Sequence, residues 1–125
     1  MEKSFKFIIG FICVLMAITW LRILIAPMGV AERLAMNPEV PFGLNKIRSF
    51  IGTYVLCAGV FSFLTLKTQD NKWLLVPLCL FIGSVIGRTS GLVLDGFHQQ
   101  NVGGIVLELI LIAITMAAYR KLPSK

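Results

Sequence analysis

Three charged side chains lie inside long apolar stretches of the sequence. Arg22 and Arg88 lie late in the first and third stretches, and Glu108 lies early in the fourth. A charge on a spanning helix costs at least about 2.5–3.5 kcal/mol near the bilayer centre, so it normally faces the bundle interior and pairs. A guanidinium can donate two parallel hydrogen bonds to a carboxylate or a phosphate. These residues are therefore candidates for a polar site within a membrane.

The same three charges fall at one depth if the chain crosses the membrane four times. Each arginine lies 15 residues after the start of its apolar stretch, which is about 22 Å along a helix. Glu108 lies 6 residues after Val102, at the start of the fourth stretch, which is about 9 Å. Because the first and third helices run outward and the fourth runs back, we expect all three charges in the outer third of the bilayer.

Further polar residues are predicted at this level. Arg48 begins the second stretch, Asp95 ends the third, and His98 lies in the turn that follows. Three arginines against two carboxylates leave one positive charge, which favours an anionic ligand. The pattern predicts a pocket that opens outward and binds a lipid headgroup or another anionic amphiphile. The proposed ligand-binding residues are Arg22, Arg48, Arg88, Asp95, Glu108 and His98.

Two other interpretations of these residues stay open. In the first, the charges are structural: Arg88 pairs with Glu108 or Asp95, Arg22 extends outward to phosphate headgroups, and the cluster only fixes the helix register. In the second, the charges move a proton or another ion across the membrane. Catalysis has little support, because His98 is the only histidine and a turn histidine is more often merely solvated. No catalytic residue is assigned, and an enzyme or transporter acting on an amphiphile is a further alternative.

The composition sets the fold class. The chain of 125 residues is 57% apolar and 14% charged, with a mean hydropathy of +0.85, whereas soluble domains average about 45–50% apolar and about 25% charged. Four apolar stretches, approximately 7–27, 50–66, 73–94 and 102–119, are each about the length of a membrane span. The sequence therefore predicts a single all-α domain, residues 1–125, folded as a four-helix transmembrane bundle.

The basic residues predict how the bundle is oriented. Seven Lys and Arg residues fall at the termini and the second loop, and three fall in the first loop. By the positive-inside rule, both termini are predicted to be cytoplasmic in a bacterial inner membrane. The net charge of +6 does not predict nucleic-acid binding, because the basic residues form no patch with interleaved aromatics. In the first loop, Gly29 to Met36 is expected to form one or two helical turns.

The third stretch carries glycines at four-residue spacing, Gly83, Gly87 and Gly91. Small residues at this spacing let two helix backbones approach closely in a membrane. Packing inside the monomer is favoured over a homodimer seam, and docking onto a larger membrane complex as an accessory or assembly subunit is the alternative. Membrane lipid is the other expected partner.

No metal or cofactor is predicted. The three cysteines are far apart in apolar stretches and form no C-x-x-C motif, and the single histidine gives no metal-binding pair. The cysteines are interpreted as small buried apolar residues.

The run from Ile86 to Gly96, together with Arg48 to Gly52 and Glu108-Leu109, resembles the family known as domain of unknown function 4345. The resemblance covers nearly the whole chain, and its most specific part is the string G-R-x-x-G-x-x-x-D-G. It implies a bacterial inner-membrane protein with four spans, similar in architecture to the DoxX-like proteins, in a family without an established activity. DoxX-like relatives are linked to redox and quinone chemistry. The family's characteristic positions correspond to Arg48, Gly52, Arg88, Gly91, Asp95, Gly96 and Glu108.

Overall fold

Helices make up the computed structural model of the chain, which describes residues 3–33, 47–97 and 99–124. No strand occurs in these ranges, so the all-α prediction is confirmed. A π-helical turn, Ile47–Ile51, leads into α3, and a 3-10 turn, Asn71–Leu74, leads into α4. The helices are α1 (Lys3–Ile25), α2 (Pro27–Arg33), α3 (Gly52–Thr68), α4 (Leu75–Leu94) and α5 (Gln99–Lys121).

Four of the described helical segments are long and apolar enough to cross a membrane. They contain between 21 and 24 residues, which corresponds to about 31–36 Å of helix, close to the hydrocarbon thickness of about 30 Å. Large apolar side chains on each are exposed, for example Phe11, Phe63, Ile86 and Leu109. Such a surface suits a lipid environment and indicates a membrane protein. The spans are Lys3–Ile25, Ile47–Thr68, Asn71–Leu94 and Asn101–Lys121.

The helix ends differ from the predicted spans for local reasons. α1 ends at Ile25 rather than at Pro27, because proline favours the first position of a helix and here opens α2. The second span begins at Ile47 rather than at Phe50, because the π-helical turn Ile47–Ile51 adds residues at its start. The helix predicted from Gly29 begins two residues earlier and is described as far as Arg33, and residues 34–36 lie outside the described ranges.

The long helices pack mainly as two antiparallel pairs, α1 with α3 and α4 with α5, and α3 contacts α4 between the pairs. Met16 of α1, Val55 and Ala58 of α3, and Phe81 of α4 belong to one buried apolar cluster. Gly59 brings α1 and α3 close together, since a Cβ atom at this position would lie 3.2 Å from the Cβ of Met16.

The start of α1 and the end of α5 lie at the same end of the bundle. Asn71, in the turn before α4, donates a side-chain hydrogen bond of 2.9 Å to the carbonyl of Tyr119. The ammonium of Lys121 lies 5.8 Å from the ring centre of Phe5. We call this the terminal end of the bundle, and we call the opposite end, where α4 turns back into α5, the hairpin end.

Candidate functional site

An ion pair joins α4 to α5 inside the apolar bundle. Arg88 Nε lies 3.4 Å from Glu108 Oε2, and the two side chains are 29% and 11% exposed. The hydroxyl of Ser84 donates a hydrogen bond of 2.6 Å to Glu108 Oε1. Glu108 is thus held by both its oxygens, while the end of the Arg88 side chain stays partly open.

The spacing of four residues on each helix produces this alignment. Ser84 and Arg88 lie one turn apart on α4, and Gly104 and Glu108 lie one turn apart on α5, which runs antiparallel. Ser84 therefore faces Glu108, and Arg88 also lies beside Gly104. A Cβ atom at Gly104 would lie 2.7 Å from both Cζ and Nη1 of Arg88. The glycine provides the space that the guanidinium occupies.

The hydroxyl of Ser84 makes a different bond from several other hydroxyls in the spans. Those hydroxyls donate to the carbonyl four residues earlier in their own helix, which satisfies them locally in apolar surroundings. Ser84 instead donates across to α5, so it belongs to the inter-helix site. The hydroxyls bonded within their own helix are those of Thr19, Ser62, Thr65, Thr68 and Ser90.

Tyr54 of α3 adds a third helix to the site. Its ring packs edge-on against Phe81, with ring centres 6.4 Å apart, and its hydroxyl lies beside Ser84 and near the charges of Glu108 and Arg88. Sequence reasoning missed Tyr54. The available signal was its depth, since it lies 4 residues after Phe50, about 6 Å into the second apolar stretch. We call Tyr54, Ser84, Arg88 and Glu108 the buried polar cluster.

Hydrogen bonding within the buried polar cluster is incomplete. Nε of Arg88 and Oε2 of Glu108 are buried and face each other as an ion pair without making a hydrogen bond, and the hydroxyl of Tyr54 is buried beside Ser84. An unsatisfied buried polar atom costs about 1–3 kcal/mol. The part of the cluster that is open to a polar ligand group is therefore the end of the Arg88 side chain, which is 29% exposed.

The other arginines of the predicted set lie outside this cluster. Arg48 donates from Nε to the carbonyl of Leu24 at 3.2 Å, which satisfies a carbonyl at the end of α1. Arg22 is exposed on α1 and makes no ion pair with any residue in the described ranges. Similar depth did not bring the three arginines together, because depth along a helix does not fix which way a side chain points.

The remaining predicted residues lie at the hairpin end. Asp95 is exposed where α4 ends, its backbone N–H bonds to the carbonyl of Gly91, and its carboxylate makes no ion pair with the described residues. His98 lies outside the described residues. Within the described ranges, the six predicted ligand-binding residues therefore contribute one direct contact, between Arg88 and Glu108.

The glycine stripe of α4 does not pack inside the monomer as expected. Gly83 and Gly87 are exposed, and a Cβ atom at either position would meet no atom within 4 Å. At Gly91 the atom found is a carboxylate oxygen of Asp95 from the same helix, at 3.8 Å. Internal packing is therefore wrong for Gly83 and Gly87, which face away from the other described helices.

The described residues include no group of three metal-ligating side chains. Cys13, Cys57 and Cys79 are free thiols, and Cys79 is exposed rather than buried as expected.

Comparison with known proteins gives a family but no characterised relative. The family model described as "Domain of unknown function (DUF4345)" matches residues 4–119. This range runs from the first turn of α1 to the last turns of α5 and contains the buried polar cluster. No curated protein and no solved structure gives a significant match.

Proposed function

The chain belongs to the family described as domain of unknown function DUF4345, and we propose that it is an integral membrane protein that binds an anionic amphiphile, such as a lipid, by its headgroup at the buried polar cluster. The single observation that carries the proposal is the incompletely bonded ion pair of Arg88 and Glu108. Intramembrane ionisable residues mark functional sites more often than chance. If the ion pair served only to fix the helix register, we would expect all of its buried donors and acceptors to be hydrogen-bonded.

Charge favours an anionic ligand over a neutral one. The described residues towards the hairpin end include four arginines, Arg22, Arg33, Arg48 and Arg88, against three acids, Glu32, Asp95 and Glu108. The guanidinium of Arg88 uses its Nε edge towards Glu108, and its side chain remains 29% exposed. Its terminal nitrogens can therefore donate to a phosphate or carboxylate, while Glu108 holds the arginine in place.

Native mass spectrometry in mild detergent tests this function. We expect the parent protein to retain an amphiphile of defined mass, and we expect Arg88→Gln/Glu108→Gln to lose it. The double variant removes both charges, so it leaves no unpaired buried charge to unfold the bundle. Arg22→Gln is the matched control, because it removes an exposed arginine outside the cluster.

The outcomes separate binding from a structural role. Loss of the retained mass only in the double variant, with an unchanged helical circular dichroism spectrum, supports the proposal. Retention of the same mass by parent and double variant contradicts it. A parent protein with no bound mass, and no change in melting temperature on addition of lysophosphatidic acid, also contradicts it and favours structural pairing.

We propose that the cluster lies in the outer leaflet of a bacterial inner membrane, with both termini in the cytoplasm. The distribution of Lys and Arg supports this orientation. The hairpin end would then face the periplasm, and an amphiphile would reach the cluster from that side.

A role as subunit of a larger membrane complex is the second candidate function. The outward-facing Gly83 and Gly87 support it, because both are open to close approach by another helix. We expect Gly87→Leu to abolish co-purification of a partner at fixed stoichiometry without lowering the protein's melting temperature. Purification of a monomer free of other proteins, in parent and variant alike, would contradict this function.

A further inference from the structure

An apolar groove runs between α1 and α3 on the outside of the bundle. Its volume is about 410 Å³, and its floor lies where Gly59 meets Met16. The side chains along the groove come from both helices and are apolar, which suits a hydrocarbon chain. They include Val14, Ala17, Trp20, Leu56, Val60 and Phe63.

The groove is short along the bundle. On α1 it extends from Cys13 to Trp20, about 10 Å of helix axis. A transmembrane helix would pack along a seam of up to about 30 Å, so a groove of this length suits part of one acyl chain better than a full helix.

A positive charge lies beyond one end of the groove. Arg48 is bonded through Nε to the carbonyl of Leu24, one helical turn beyond Trp20 on α1. On α3, Gly52 lies four residues after Arg48, and a Cβ atom at Gly52 would lie 3.9 Å from the indole nitrogen of Trp20. Arg48 is half-buried, and its terminal nitrogens make no ion pair with the described residues.

The groove is separate from the buried polar cluster. Tyr54 and Leu56 are two residues apart on α3, so their side chains point about 200° apart around the helix. Tyr54 packs towards Phe81 of α4, while Leu56 lines the groove. The two features therefore lie on opposite sides of α3.

We propose that this groove and Arg48 form a binding site for an anionic phospholipid, with one acyl chain in the groove and the phosphate on the terminal guanidinium nitrogens of Arg48. This site goes beyond the proposed function, because it uses another arginine and another face of α3. Basic side chains between helices near the membrane surface bind anionic headgroups. The apolar chain gains little by leaving other lipid, so the attraction between Arg48 and a headgroup of net negative charge supplies the preference for this lipid class.

Lipid titration of the whole protein by native mass spectrometry tests the site. We expect phosphatidylglycerol to bind at least about tenfold more tightly than phosphatidylcholine of the same chains, because both carry the phosphate but only phosphatidylcholine adds a quaternary ammonium, whose positive charge Arg48 repels. Arg48→Gln should remove this preference. Ala17→Leu should weaken binding of both lipids, because its longer side chain fills the groove. Since this variant keeps Arg48, it also tests the site if Arg48→Gln does not fold.

Arg22→Gln is the matched control, since Arg22 and Ala17 lie on nearly opposite faces of α1. It should keep the preference. The titration is also made in the Arg88→Gln/Glu108→Gln background, where an anionic lipid bound at the buried polar cluster does not contribute, so the preference that Arg48→Gln removes there belongs to the groove and failure here is distinct from failure of the proposed function. Equal binding of the two lipids by the parent protein would overturn the proposal. So would an equal loss of preference in Arg22→Gln and Arg48→Gln, or unchanged lipid binding in Ala17→Leu. If the parent protein is a dimer and the Ala17→Leu variant is a monomer, the groove instead binds a second copy of the chain, which also overturns the proposal.

Discussion

Three arginines of similar predicted depth have three different environments. Arg88 pairs with Glu108, Arg48 bonds to a backbone carbonyl, and Arg22 is exposed without an ion pair among the described residues. The guanidinium is the same in each case, so the surrounding residues decide its role. At Arg88 the deciding neighbour is Gly104, which leaves the space for the charged group beside α5.

We predict that Gly104→Ala weakens the ion pair. The new methyl group would lie 2.7 Å from Cζ of Arg88, so the guanidinium must move away from Glu108. Gly103→Ala is the matched control, because a Cβ atom there meets no atom within 4 Å and gains the same helix propensity. We expect Gly104→Ala to be less stable than the control by about 1–3 kcal/mol, measured by denaturation in detergent.

A second measurement shows that the loss acts through Arg88. In the Arg88→Gln/Glu108→Gln background, we expect the two alanine variants to have equal stability. An equal difference in both backgrounds would contradict the assigned contact.

The sequence predicted some of this site but not all of it. Helix depth placed Arg88 level with Glu108, because spacing along an apolar stretch measures depth directly. Depth does not determine rotation about the helix axis, which depends on packing with the other helices. That is why Arg22 and Arg48 were grouped with Arg88 although neither contacts it, and why Tyr54 was missed.

The contact between α1 and α3 depends on glycine, whereas the glycine stripe of α4 does not contact the described helices. Gly59 lies against Met16 at the close approach of α1 and α3, while Gly83 and Gly87 are open. Glycines at four-residue spacing indicate that one face of a helix carries small residues, but they do not indicate what packs against that face. The helix bounds were easier to predict, because proline and polar turns mark them in the sequence.

We predict that valine affects stability differently at the two kinds of glycine. Gly59→Val should destabilise the bundle by about 1–3 kcal/mol, the usual cost of overpacking, because even a Cβ atom would lie 3.2 Å from that of Met16. Gly83→Val should change stability by less than about 0.5 kcal/mol, as at an uncrowded surface position. Thermal unfolding in the same detergent compares them, and equal destabilisation would contradict the packing assignment.

At the scale of the whole molecule, the apolar exterior and the four spans were predictable from composition, because an excess of apolar residues must face either a core or lipid. A chain of 125 residues offers little core, so many of its large apolar side chains are exposed on the outside of the bundle. Helix pairing was not predictable in the same way, because the hydropathy of an apolar helix face does not indicate which other helix packs against it.

We predict that the hairpin end faces the periplasm. In a variant with its three native cysteines replaced, Gln99→Cys should react with a membrane-impermeant maleimide in intact cells. Ser4→Cys, exposed at the terminal end, is the control and should react only after permeabilisation. The reverse pattern of labelling would contradict the orientation.

The short connection between α4 and α5 has a consequence for membrane insertion. α4 ends at Leu94 and α5 begins at Gln99, so Arg88 and Glu108 belong to one helical hairpin. Inserted singly, each charged helix would bear a cost of about 2.5–3.5 kcal/mol near the bilayer centre. Paired at 3.4 Å, the two charges can neutralise each other before either helix meets lipid. Inserted as one hairpin, α4 and α5 carry a paired Arg88 and Glu108 into the membrane in place of two single buried charges.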